Sequence, residues 1–213
     1  MVRKILPMLL VLLGLSLAAC GEYGQVEQGR VVKFDTSTTP ATVWIIKDSA
    51  IDDRNPLYNV LPAHPFFIPE DPREMGAVPK AGDLVYLNVE EKYVTMFNFE
   101  KQQFDRLPFE LVSHTTDVSV RRQHPLVWDS ANRRARQFPI VNEKERTVTI
   151  FFQRQRTVTE IKLSEEDFAK FKPEEWDAGD EIRIYFREGS GGPGKPGRSL
   201  RLMNVTRTNV MNR

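Results

Sequence analysis

The sequence predicts a mostly β protein, built as two tandem small β-barrel domains with a short helix in the second. Three observations predict it. Runs rich in Thr, Val, Ile and Phe recur between charged or polar breaks. The tripeptide Ala-Gly-Asp stands before a strand-like run in both halves, at 81–83 and 178–180. Fourteen prolines, with 40% hydrophobic and 28% charged residues, suit a globular chain of strands and irregular loops better than one of long helices.

The chain opens on an address. Arg3 and Lys4 form a positive start, Ile5 to Leu17 an apolar stretch, and Leu17-Ala18-Ala19-Cys20 a processing site, so residues 1–19 read as a signal peptide. The apolar stretch is shorter than the roughly 20 residues of a membrane span. Leu17-Ala18-Ala19-Cys20 resembles the lipobox of bacterial lipoproteins. That resemblance implies cleavage before Cys20, lipidation of Cys20 and attachment to a membrane through that lipid, with 20–26 as a short tether. Cys20 is the only cysteine in the chain and has no disulfide partner. Gly21, and not Asp, follows it, which in lipoproteins implies the outer membrane, facing the periplasm.

Lys and Arg number 30 against 29 Asp and Glu; loss of Arg3 and Lys4 with the signal leaves a near-neutral chain. No nucleic-acid partner is expected from that balance, and lipid, not polybasic attraction, would hold the chain to a membrane.

The first domain is expected over 27–113. Gly29 to Asp35 reads as a strand, Thr36 to Pro40 as a turn and Ala41 to Lys47 as a second strand. Residues 48–79 carry Pro56, Pro62, Pro65, Pro69, Pro72 and Pro79, a spacing that no long helix survives, and read as a long loop. Its Tyr58, Phe66, Phe67 and Ile68 are too apolar for disorder. They either pack over the first barrel or form a surface for an envelope protein partner. Lys80-Ala81-Gly82-Asp83 then leads into a strand over 84–89, followed by another over 92–100 and a third over 109–112.

A basic connector is expected over 114–137, where Arg121, Arg122, Arg133, Arg134 and Arg136 surround His124-Pro125-Leu126-Val127-Trp128. It reads as a solvated connector, or else as a surface for an envelope polyanion such as lipopolysaccharide phosphate.

The second domain is expected over 138–213. Pro139 to Asn142, Arg146 to Phe152 and Thr157 to Leu163 read as strands, and Ser164-Glu165-Glu166-Asp167 has the spacing of a helix cap, with Phe168 and Phe171 on one face. After Ala178-Gly179-Asp180, Ile182, Ile184 and Phe186 alternate with Arg183, Tyr185 and Arg187; Ser199 to Thr206 closes the set. Strand, strand, strand, helix, strand, strand resembles the OB-fold barrel, and the matching order in the first half reads as a degenerate repeat. That resemblance places a binding face over the second and third strands and their loop, at Phe151, Arg154, Arg156 and Thr157.

No motif points to catalysis. Gly189 to Lys195 imitates a phosphate loop, but Pro196 stands where Ser or Thr should hold magnesium. His64, His114 and His124 are far apart in sequence, so no metal and no cofactor is expected. The function expected is therefore a lipid-anchored cell-envelope binding or assembly module. The rival readings are an envelope enzyme using His64 and Glu70 beneath the 48–79 loop, and a structural spacer. The Gly-Arg-Val-Val opening and the paired Gly-Asp strands also resemble an uncharacterised bacterial lipoprotein family, which implies no activity and no site residues.

Overall fold

The computed structural model describes residues 24–50, 56–191 and 194–208. The signal expected over 1–19, Cys20 and the tether to Tyr23 lie outside the described residues. The fold is mostly β. The strands are β1 (Gly24–Asp35), β2 (Thr42–Asp48), β3 (Tyr58–Phe67), β4 (Leu84–Asn88), β5 (Tyr93–Asn98), β6 (Gln103–Pro108), β7 (Glu110–Thr115), β8 (Trp128–Asp129), β9 (Arg134–Ala135), β10 (Ile140–Asn142), β11 (Thr147–Phe152) and β12 (Thr157–Lys162). A short helix α1 (Glu165–Phe168) follows, then β13 (Glu181–Arg187) and β14 (Gly197–Asn204).

Strands from the two ends of the chain close one barrel. β1 pairs with β2, β2 with β3, β3 in parallel with β14, β14 with β13, and β13 back with β1. This corrects the expected division into 27–113 and 138–213. The strands predicted to finish a second barrel, β13 and β14, instead complete the first, and among the described residues no barrel forms within either half alone. The reason lies in the inward faces. Val31, Val43, Ile45 and Phe66 give the first three strands an apolar side, which Ile182, Ile184, Phe186 and Leu202 cover. The Phe66 and Phe186 rings meet at 5.0 Å. Each such side chain, fully buried, contributes about 1.5–3 kcal/mol.

The third strand is a second correction. Residues 58–67 are a barrel strand, not part of a loop, despite Pro62 and Pro65. Pro62 lies where the β2–β3 register shifts between Ile45 and Lys47, and β14 reaches β3 only at Phe66 and Phe67. Most of that edge therefore asks no N–H of the strand, the setting in which proline is tolerated.

Residues between β3 and β13 form an inserted second β unit. Its sheets, β4-β5-β6 and β10-β11-β12-β7, share a core of Leu84, Val94, Met96, Leu107, Val148, Ile150, Ile161 and Trp176. The Ser164 hydroxyl caps α1 by accepting from the Asp167 N–H at 3.1 Å. Phe168 and Phe171 lie against Trp176, at 6.2 and 5.5 Å between ring centroids.

The repeated Ala-Gly-Asp turns meet where the chain leaves the barrel and comes back. The Leu84 N–H donates to Asp177 O (3.1 Å), the Asp180 N–H to Lys80 O (2.8 Å) and the Gly82 N–H to Val31 O (3.2 Å). Gly82 has no room for a Cβ, which would strike the Asp177 carbonyl; Gly179, at φ +70, would drive one into Val31 O. The buried Asp180 carboxylate accepts from the Lys80 N–H and Asn204 Nδ2, both at 2.8 Å, and pairs with Arg207 at 2.9 Å.

Candidate functional site

The outer face of β2 and β3 is covered by the protein itself. Trp44, Ile46, Leu61 and Ala63 pack there with Phe97, Phe99 and Phe104 of the insert. Phe99 meets Trp44 edge-on at 5.7 Å, and the Lys33 ammonium lies 4.7 Å from the Phe99 ring. Aromatic groups that could stack on a ligand are thus already stacked within the fold.

The partner surface expected at 58–68 is largely interior. Tyr58 is 6% and Phe66 4% exposed, while Phe67 and Ile68 are half-buried. Tyr58 belongs to the barrel–insert contact and Phe66 to the barrel core, because both lie on a strand and not on a loop. Burial pushes the Tyr58 phenol up to about 12, and the Arg30 guanidinium lies 4.4 Å over its ring.

The face expected at Phe151, Arg154, Arg156 and Thr157 holds parts of the molecule together. Arg154 reaches the buried Glu181 of β13 at 2.5 Å, and Arg156 grips Asp117. Phe151 packs against Phe138 with the rings tilted and 5.5 Å apart, and Thr157 pairs with Phe152 across the hairpin. Around Glu181, Gln28 donates to its carboxylate and accepts from Arg183, while Arg30 donates to Leu84 O (3.1 Å) and Val85 O (3.3 Å). These bonds join the barrel wall to the hairpin of β11 and β12 and to β4.

His64 and Glu70 do not converge. His64 Nδ1 meets Glu27 Oε2 at 2.8 Å, whereas Glu70 pairs with Arg198 at 2.7 Å. Lys47 approaches the same Glu27 carboxylate at 3.5 Å. Glu27, Lys47 and His64 share strand faces with the core residues Val31, Ile45 and Phe66. Burial alone would raise the Glu27 carboxyl, but His64 and Lys47 outweigh it and hold it below its ordinary range. This trio was not legible in the sequence, because its members come from three strands whose pairing no local pattern announced. Asp83, half-buried beside Glu175, is the opposite case: burial, then the charge of Glu175, pushes its carboxyl up to about 7.

The other two histidines are held locally. His114 Nδ1 meets Thr159 Oγ1 at 2.8 Å, and His124 Nδ1 accepts from the Leu126 N–H at 3.3 Å. Residues 189–196 join β13 to β14 as an antiparallel hairpin, with Gly192 and Pro193 outside the described residues.

The expected connector is a folded lobe. Val118 and Val127 are fully buried in a small core with Val158, and Phe138 and Phe151 pack on it. Arg121, Arg122, Arg133, Arg134 and Arg136 are all exposed on that lobe.

Fold and site define a mostly β protein whose barrel carries a second β unit between its third and fourth strands. The chain belongs to the DUF4881 family, a domain of unknown function, matched over residues 22–213. No curated protein and no solved structure matches it.

Proposed function

We propose that this chain is a lipid-anchored cell-envelope module that binds or assembles through its outer surface, acylated on Cys20 at the outer membrane and facing the periplasm. The single observation that carries the reading is how the barrel is used up. Its interior is filled by Val31, Ile45, Phe66, Ile184 and Phe186, and its β2–β3 face is covered by Phe97, Phe99 and Phe104. Recognition then falls to groups that remain outside. The five-stranded ring, with its parallel β3–β14 contact, is in this reading one OB-like barrel, with the insert occupying the face such barrels commonly offer to ligands. The family match, which begins two residues after Cys20, agrees with a leader that is removed.

The test is acylation. In cells fed labelled palmitate, the wild-type chain is expected to carry label and sediment with membranes, and Cys20→Ser to be unlabelled. An unlabelled wild-type chain recovered in the soluble fraction would overturn the anchor.

A further inference from the structure

We propose that the arginine lobe at 116–137 docks on the phosphate headgroups of an anionic bilayer. The proposal rests on the reading of the chain as an envelope module and names the surface that this module recognises.

The lobe concentrates positive charge on a nearly neutral protein. It holds five arginines and no lysine, against two aspartates, and both aspartates are engaged within the fold. Asp117 bonds Arg156 and lies 3.3 Å from Arg122. Asp129 accepts from the Ala131 and Asn132 N–H groups and from Asn132 Nδ2, which holds its carboxyl below the ordinary range. With both carboxylates ionised, five arginines against two aspartates leave the lobe a net charge of +3.

The shape is built before any ligand arrives. The His124 N–H donates to Ser119 O (3.1 Å), the Arg136 N–H to Val127 O (2.9 Å) and Arg136 Nε to Pro125 O (3.2 Å), so the two arginine-bearing turns lie side by side. Val118 and Val127 root them in the core. Little ordering cost remains to be met on binding.

Two features select a phosphate bilayer over other anions. The guanidinium fork matches phosphate oxygens in pairs, and the lobe carries arginines with no lysine among them. Leu126, 42% exposed, stands among these arginines beside a half-buried Trp128. An apolar tip ringed by cations suits the boundary between headgroups and acyl chains, where a soluble polyanion would leave that leucine in water.

The test uses residues 20–213 with Cys20→Ser, which retain every strand and core cluster described above, so no lipid on the protein contributes. Co-sedimentation is measured with phosphatidylglycerol–phosphatidylcholine vesicles and with phosphatidylcholine vesicles alone. Binding is expected only to the anionic vesicles and is expected to vanish in high salt. Arg133→Asn with Arg134→Gln should weaken it on the order of 25-fold, about fivefold for each charge removed. Leu126→Ser should weaken it while leaving its salt dependence in place. Equal binding to both vesicles, or to neither, would overturn the proposal. So would binding to inorganic polyphosphate that Leu126→Ser leaves unchanged, with none to vesicles, since the occupant would then be a soluble polyanion. Lost vesicle binding with Cys20 still acylated in cells would sink the lobe assignment alone; the converse would sink the anchor alone.

Discussion

Asp83 sits half-buried beside Glu175 with its carboxyl raised from 3.8 to about 7 by burial and by that neighbour's charge. The folded chain therefore holds the proton more tightly than the unfolded chain does. That stabilisation is complete below about pH 4 and is lost as the pH rises through about 7. The urea midpoint of the wild type is expected to fall between about pH 5 and pH 8. Asp83→Asn should remove most of that fall and be the more stable protein at the upper end; an unchanged slope in the variant would contradict the assignment. Gly82 and Gly179 act through shape alone. Gly82→Ala or Gly179→Ala should each cost about 2–3 kcal/mol in denaturant unfolding, because the new Cβ meets a carbonyl oxygen of the opposing chain segment. The sequence showed Gly82 and Gly179 as turn residues. That Gly82 is required by the Asp177 carbonyl and Gly179 by the Val31 carbonyl was not visible, since contact across the junction follows from the fold and not from local pattern.

At the scale of elements, alternation and capping served well where one face is buried. Ile182, Ile184 and Phe186 of β13 all enter the barrel core, and Ser164 caps the short helix as its spacing predicts. β3 was misread because proline density argues against a strand, and only its sparsely paired edge makes Pro62 and Pro65 acceptable. β6 was missed because Gln103, Asp105 and Arg106 hide the buried Leu107. The hairpin of β11 and β12 illustrates the reverse error. Arg154 and Arg156 look like a ligand-facing pair in sequence, yet they tie the hairpin to Glu181 and Asp117. Arg154→Ala leaves the Glu181 carboxylate buried with Gln28 still donating to it, and should cost about 1–3 kcal/mol, less than a fully buried pair because the arginine is partly exposed. Thermal unfolding of that variant, compared with an exposed control such as Arg73→Ala, measures it. Equal melting temperatures would show that the hairpin is not held by this pair.

For the whole molecule, composition and strand content gave the class, while assembly escaped a reading that worked along the chain. Two similar strand orders suggested two barrels, but the physical unit is set by which apolar faces must be covered. The first three strands present Val31, Val43, Ile45 and Phe66, and the chain covers them with its last two strands after a long excursion. The excursion then covers the β2–β3 face with Phe97, Phe99 and Phe104. The most direct measurement is a cross-strand disulfide in a Cys20→Ser background. Val26 of β1 and Tyr185 of β13 stand directly opposite each other, on the outer side of the wall. Val26→Cys with Tyr185→Cys is expected to form an intramolecular bond under mild oxidation and to raise the melting temperature, since it closes a loop spanning most of the chain. Two thiols that stay free, or that link only between molecules, would contradict a barrel closed by both ends of the chain.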